Sequence, residues 1–328
     1  MAYQNVGTPR FYINVIEWLD SSGYHSWDKK YYTLPVGDDS IDQYHDIFES
    51  PLLDFNSRGF LAILGHNLNA DTRIALSNTG VMANIVNGVH FYSGETGVYS
   101  GIVESGFSIS TYDGTPTGIG IVETTGVDGY YTGSIIIGTY YDMPHSPDLN
   151  LTMTRDYGGI KTIETKGGAS LSNAFYTKPP KWGGAGAWEL YLAPPQNNQK
   201  LSRSGRRIWD LSFSYLDDGD VFGVNQYLGQ DHWGTHTSPP YDEGDLHDGG
   251  DSDNRYKFDL LTDYNFYSQV IHKTNGGQLP FIFQPDINDK TQFAICKFDM
   301  NSFQFKQVAN GVYNIKLKIR EVWEAGGL

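Results

Sequence analysis

With 328 residues and one cysteine, the chain has room for two domains of ordinary size, each burying its own core, and it cannot form an internal disulfide. Its 38 acidic residues against 23 basic ones give a formal charge of −15, which repels phosphate backbones and argues against a nucleic-acid partner. Aromatic residues at 14% together with 38 glycines favour pleated strands and tight turns over helices, so the expected class is mainly β.

Met1-Ala2-Tyr3-Gln4-Asn5 lacks the charged start and apolar run of a signal peptide, and nowhere do about 18 apolar residues follow one another, so neither secretion nor membrane insertion is expected. Arg10 to Leu19 is strand-like in composition, with Asp20-Ser21-Ser22-Gly23 as the turn after it. Phe60-Leu61-Ala62-Ile63-Leu64 is an unbroken apolar run that suits a strand covered on both faces, with Gly65 expected to end it. From about Ile41 to Tyr141 short runs such as Arg73–Leu76, Val89–Tyr92 and Gly106–Ser110 recur between turn residues, which favours an antiparallel sandwich over a βαβ pattern. Gly133-Ser134-Ile135-Ile136-Ile137-Gly138 is a second apolar strand, and the prolines at 144 and 147 after it mark the expected boundary, giving domains 1–145 and 146–328.

Beyond that boundary, Leu149 to Thr154 alternates with period two, and Trp209, Leu211, Phe213 and Tyr215 do so again. Between them, residues 178–188 carry Trp182 and Trp188 among glycines, as a packed or partner-contacting loop would. Lys200, Arg203, Arg206 and Arg207 form a basic patch whose simplest partners are acidic groups of the same or a neighbouring chain. Phe258, Leu261, Tyr264, Tyr267 and Ile271 at intervals of three or four predict a helix over 254–273, stopped by Asn275-Gly276-Gly277. The last strand, Val312 to Trp323, sets Tyr313, Ile315, Leu317 and Ile319 on one face and Asn314, Lys316, Lys318 and Arg320 on the other.

Residues 217–254 hold ten acidic residues and no Lys or Arg, with His232, His236 and His247 among them. Asp242-Glu243-Gly244-Asp245 and the acids from Asp248 to Asp253 offer hard oxygen ligands, but the spacing fails the EF-hand pattern, so a solvated or partner-facing acidic loop is expected ahead of a calcium site. His232 and His236 do not meet the zinc-protease arrangement, because Gly234, Pro239 and Pro240 oppose a helix there. Cys296 reads as a small core residue, His66 and Asn67 as turn formers, and no Gly-x-Ser-x-Gly elbow occurs. The expectation is a non-enzymatic protein without cofactor or metal. Its expected contact residues, for a protein interface or a glycan, are Trp182, Trp188, Trp233, Lys316, Lys318 and Arg320.

The wording Ile63-Leu64-Gly65-His66-Asn67-Leu68, followed by the strand 133–138, resembles tail-associated structural proteins of bacteriophages that carry a galactose-binding-like, jelly-roll β-sandwich. Ile137-Gly138-Thr139-Tyr140-Tyr141 follows the first part of a strand pattern of that family and lacks its second glycine. Trp209-Asp210-Leu211-Ser212-Phe213-Ser214-Tyr215-Leu216 is similar to a strand of distal-tail and minor-tail proteins, in which a helix and a last strand with an acidic end follow. The resemblance implies a galactose-binding-like sandwich, then a second antiparallel domain with one helix. It also implies a virion role as a distal-tail or baseplate subunit, made in the host cytoplasm and assembling with copies of itself and other tail proteins. The alternatives are a carbohydrate-binding module for host attachment and a head-completion or decoration protein.

Overall fold

The computed structural model describes residues 6–21, 45–46, 58–66, 73–77, 89–92, 106–112, 118–123, 134–156, 160–174, 206–222, 264–289 and 293–322. Among them the chain is mainly β, every strand pair is antiparallel, and the helices are short. In chain order the strands are β1 (Arg10–Asn14), β2 (His45–Asp46), β3 (Gly59–His66), β4 (Arg73–Ser77), β5 (Val89–Tyr92), β6 (Gly106–Tyr112), β7 (Gly118–Glu123) and β8 (Ser134–Asp142). There follow β9 (Thr152–Asp156), β10 (Ile160–Glu164), β11 (Ser170–Ala174), β12 (Arg206–Asp217), β13 (Phe281–Gln284), β14 (Ala294–Phe298), β15 (Phe305–Ala309) and β16 (Val312–Glu321).

A 10-stranded sheet runs β6-β3-β8-β1-β13-β14-β16-β12-β9, with β15 also paired to β16. Four of its strands precede residue 145 and six follow it, and the two groups meet where β1 pairs with β13, Phe11 opposite Phe283. Among the described residues β2-β7-β4-β5 form a separate 4-stranded sheet and β10-β11 a two-stranded hairpin.

The apolar run at 60–64 lies in an interior strand, as its composition dictates: β3 is bonded to β6 on one side and β8 on the other, and Phe60, Leu61 and Ala62 are fully buried. Gly65 does not end it. The strand runs on to His66, and the pairing with β6 shifts register between Leu64 and His66, so the glycine sits in a bulge. Gly138 in β8 is needed because a Cβ there would lie 1.8 Å from the Ile13 carbonyl oxygen of β1.

The expected strand over 10–19 stops at Asn14, and Val15–Ser21 forms a helix, α1. The Asn14 side chain turns the backbone by accepting the Glu17 N–H at 3.2 Å. Asn14-x-x-Glu17 is itself a helix-start pattern, outvoted on paper by the apolar composition around it. The predicted helix 254–273 is also corrected where it is described. A π-helical turn, Tyr267–Ile271, passes into a 3-10 turn, His272–Thr274, while 254–263 lie outside the described residues. Its stop is where the sequence puts it, with Asn275, Gly276 and Gly277 at φ values of 50°, 70° and 91°.

The large core lies on one sheet face and spans both halves of the chain. Phe11 packs against Phe266, Phe281, Phe283 and Phe298 with ring centroids 5.3–6.1 Å apart. The period-two face of β12 supplies Trp209, Leu211 and Phe213 to it, but Tyr215 does not follow. A bulge between Phe213 and Leu216 puts Leu216 inside and leaves Tyr215 exposed at φ 64°, its N–H bonded to Asn314 Oδ1 at 3.1 Å. On the opposite face a smaller cluster, including Tyr12, Phe60, Ile136, Ile282, Phe293 and Ile295, is buried at the β3–β14 end.

Candidate functional site

That second face changes character along the sheet. Past β14 it carries the polar side of β16, and register fixes its neighbours: Lys316 lies opposite Ser212, Lys318 opposite Asp210, Arg320 opposite Ile208 and Lys297, and Asn314 opposite Lys306. Ile315, Leu317 and Ile319 point the other way and are buried at 3% exposure or less, so the alternation read from the sequence holds.

Two of the three predicted basic residues have internal carboxylate partners. Lys318 Nζ is 3.2 Å from Asp299, and Arg320 Nη2 is 3.2 Å from Asp156. Both pairs are about a third or more exposed and count for little in stability. Lys316 is exposed and has no ion pair among the described residues. Trp182, Trp188 and Trp233 lie outside the described residues. Lys297 and Lys306 join this face unpredicted. The sheet order makes Lys297 a neighbour of β16, whereas Lys306 arrives through the β15–β16 hairpin, which Asn310-Gly311 signals in the sequence.

Arg207, from the predicted basic patch, has gone inside. Its backbone N–H and Nε–H donate to Glu321 Oε2 at 2.8 and 3.1 Å, and its Nη2 donates to Glu321 Oε1 at 3.0 Å and the Phe293 carbonyl at 2.8 Å. Cys296 pairs across the strands with Glu321 and is fully buried. Burial pushes its thiol well above the ordinary value and the Glu321 charge adds to this, against the opposing Arg207 charge. It is a core residue, with no trace of an activated thiolate.

The hairpin β10–β11 is the other exposed feature. Thr165 closes its loop by accepting the Gly168 N–H on its carbonyl at 2.9 Å and the Ala169 N–H on its hydroxyl at 3.1 Å, with Gly168 at φ 78°. Ile163 and Leu171 lie directly opposite each other, 66% and 60% exposed. An apolar cross-strand pair so placed has no core to serve.

Among the described residues, no group of three His, Cys, Asp or Glu side chains could hold a metal ion. Of the acidic segment 217–254, the structure describes only Asp217 to Phe222, where Asp220 Oδ2 accepts the Asp217 N–H at 3.1 Å at the start of a helix, α2 (Asp218–Val221). No described helix is long and apolar enough to cross a membrane. Comparison with protein-family models, with curated proteins and with solved structures finds no match.

Proposed function

We propose that this chain is a non-enzymatic structural subunit of a bacteriophage tail, of the distal-tail or baseplate kind, which assembles with copies of itself and with neighbouring tail proteins. In this reading its N-terminal strands belong to a galactose-binding-like jelly roll. The order of the short motifs at 63–68, 133–141 and 209–216, with a helical turn and a last acidic-ended strand after them, supports the phage assignment. The observation that carries the assembly role is the hairpin β10–β11, which holds Ile163 against Leu171 in water although an isolated two-stranded hairpin has little stability of its own. Such a feature suits a protein that is completed by a neighbour.

Mass photometry of the purified protein across a salt series, alone and with tail-tube protein, tests this. A discrete oligomer, or a complex with the tube protein, is expected. A monomer that neither self-associates nor binds the tube protein would overturn it.

A further inference from the structure

The open part of the second sheet face is a net-positive surface on a strongly acidic chain. Register and hydrogen bonding gather Arg206, Lys297, Lys306, Lys316, Lys318 and Arg320 there, against Asp148, Asp156, Asp210 and Asp299. Six cations less four carboxylates leave two positive charges, whereas the whole chain carries −15. The cations crowd one another: burial and the neighbouring Arg320 charge both hold the Arg206 guanidinium below its usual value. At the other end of the same face the residues are apolar and buried, whereas at this end Asp210, Lys306 and Lys316 are exposed among the described residues.

We propose that this face, centred on Lys306 and Lys316, docks the acidic segment 217–254 of a second copy of the chain. The proposal rests on the assembly reading and names the contact. A second copy fits by charge, because ten of its carboxylates fall within 217–254 without a single Lys or Arg. Opposed charges of this density steer association and fix its register, and salt weakens the contact. Lys306 and Lys316 are the exposed members without an ion pair among the described residues, so charges there can be changed without breaking the pairs to Asp156 and Asp299.

The test is sedimentation equilibrium of the full chain at about 50 and about 500 mM salt, screening lengths that differ roughly threefold. It compares wild type, Lys306→Glu with Lys316→Glu, and Lys306→Arg with Lys316→Arg, each first shown folded by circular dichroism. Self-association of the wild type should weaken with salt, the Glu variant should bind itself about tenfold more weakly at low salt, and the Arg variant should match wild type. A Glu variant that self-associates like wild type would overturn this contact while leaving the assembly reading in place. So would a wild type that binds tail-tube protein yet stays monomeric. A wild type that does neither would remove both.

Discussion

Replacing Glu321 by Gln tests whether the Arg207–Glu321 pair is a buried linchpin between β12, β14 and β16. The side chains are 13% and 2% exposed, so solvent screens them little. Glu321 accepts three N–H groups of Arg207, and the amide keeps the shape but removes the charge and turns one acceptor into a donor. Hydrogen bonds to charged groups contribute about 1.5–3 kcal/mol against about 0.5–1.5 for neutral ones, and stranding one member of a buried pair costs about 3–5 kcal/mol. The expected loss is about 3 kcal/mol. Urea unfolding at pH 7, followed by circular dichroism, reads this as a fall of about 1 M in midpoint for a slope of about 3 kcal/mol/M. Arg207→Met should cost a similar amount. The double variant Arg207→Met with Glu321→Met should lose far less than the sum, because two apolar side chains can replace a buried pair at little cost. A Glu321→Gln midpoint within error of wild type, or strictly additive losses, would refute the argument.

Gly138→Ala should destabilise by at least about 3 kcal/mol, since the new methyl meets the backbone of Ile13 and Val15 rather than a movable side chain; thermal melting would show it. Burial, and after it the Lys273 charge, hold His272 below its ordinary value of 6.5, where its ring packs edge-on to Trp18 with centroids 5.3 Å apart. The unfolded chain therefore binds more protons than the native one below pH 6.5, and stability falls as pH drops from there until the folded value is passed. His272→Gln should flatten that part of a urea-midpoint profile against pH. Cys296 should resist thiol reagents at pH 8 in the native state and react at once in denaturant, which a timed colorimetric assay would follow.

The amino-acid sequence determined the class and the local alternation. Aromatic and glycine content meant strands, an unbroken apolar run meant an interior strand at Phe60–Ala62, period two in β16 separated Ile315, Leu317 and Ile319 from the basic side chains, and Asn275-Gly276-Gly277 stopped the helical turn. These are short-range effects, governed by side-chain volume and backbone conformation within a few residues. Where two local signals competed, the sequence misled: Asn14 capped a helix inside an apolar stretch, and a bulge moved Leu216 into the place read for Tyr215. Strand order is a different kind of information. That β1 stands between β8 and β13, so that Phe11 enters the core of the C-terminal strands, follows from pairings between residues far apart in the chain, and Lys297 reaches the face of Lys316 through β14 pairing with β16, whereas Lys306 reaches it through the local β15–β16 hairpin. The fate of Arg207 is also set at long range: it looked on paper like the patch around it and was drawn inside by Glu321, 114 residues away. Hydrogen-bonding edges are alike from strand to strand, so only the packing of the whole molecule decides which of them meet.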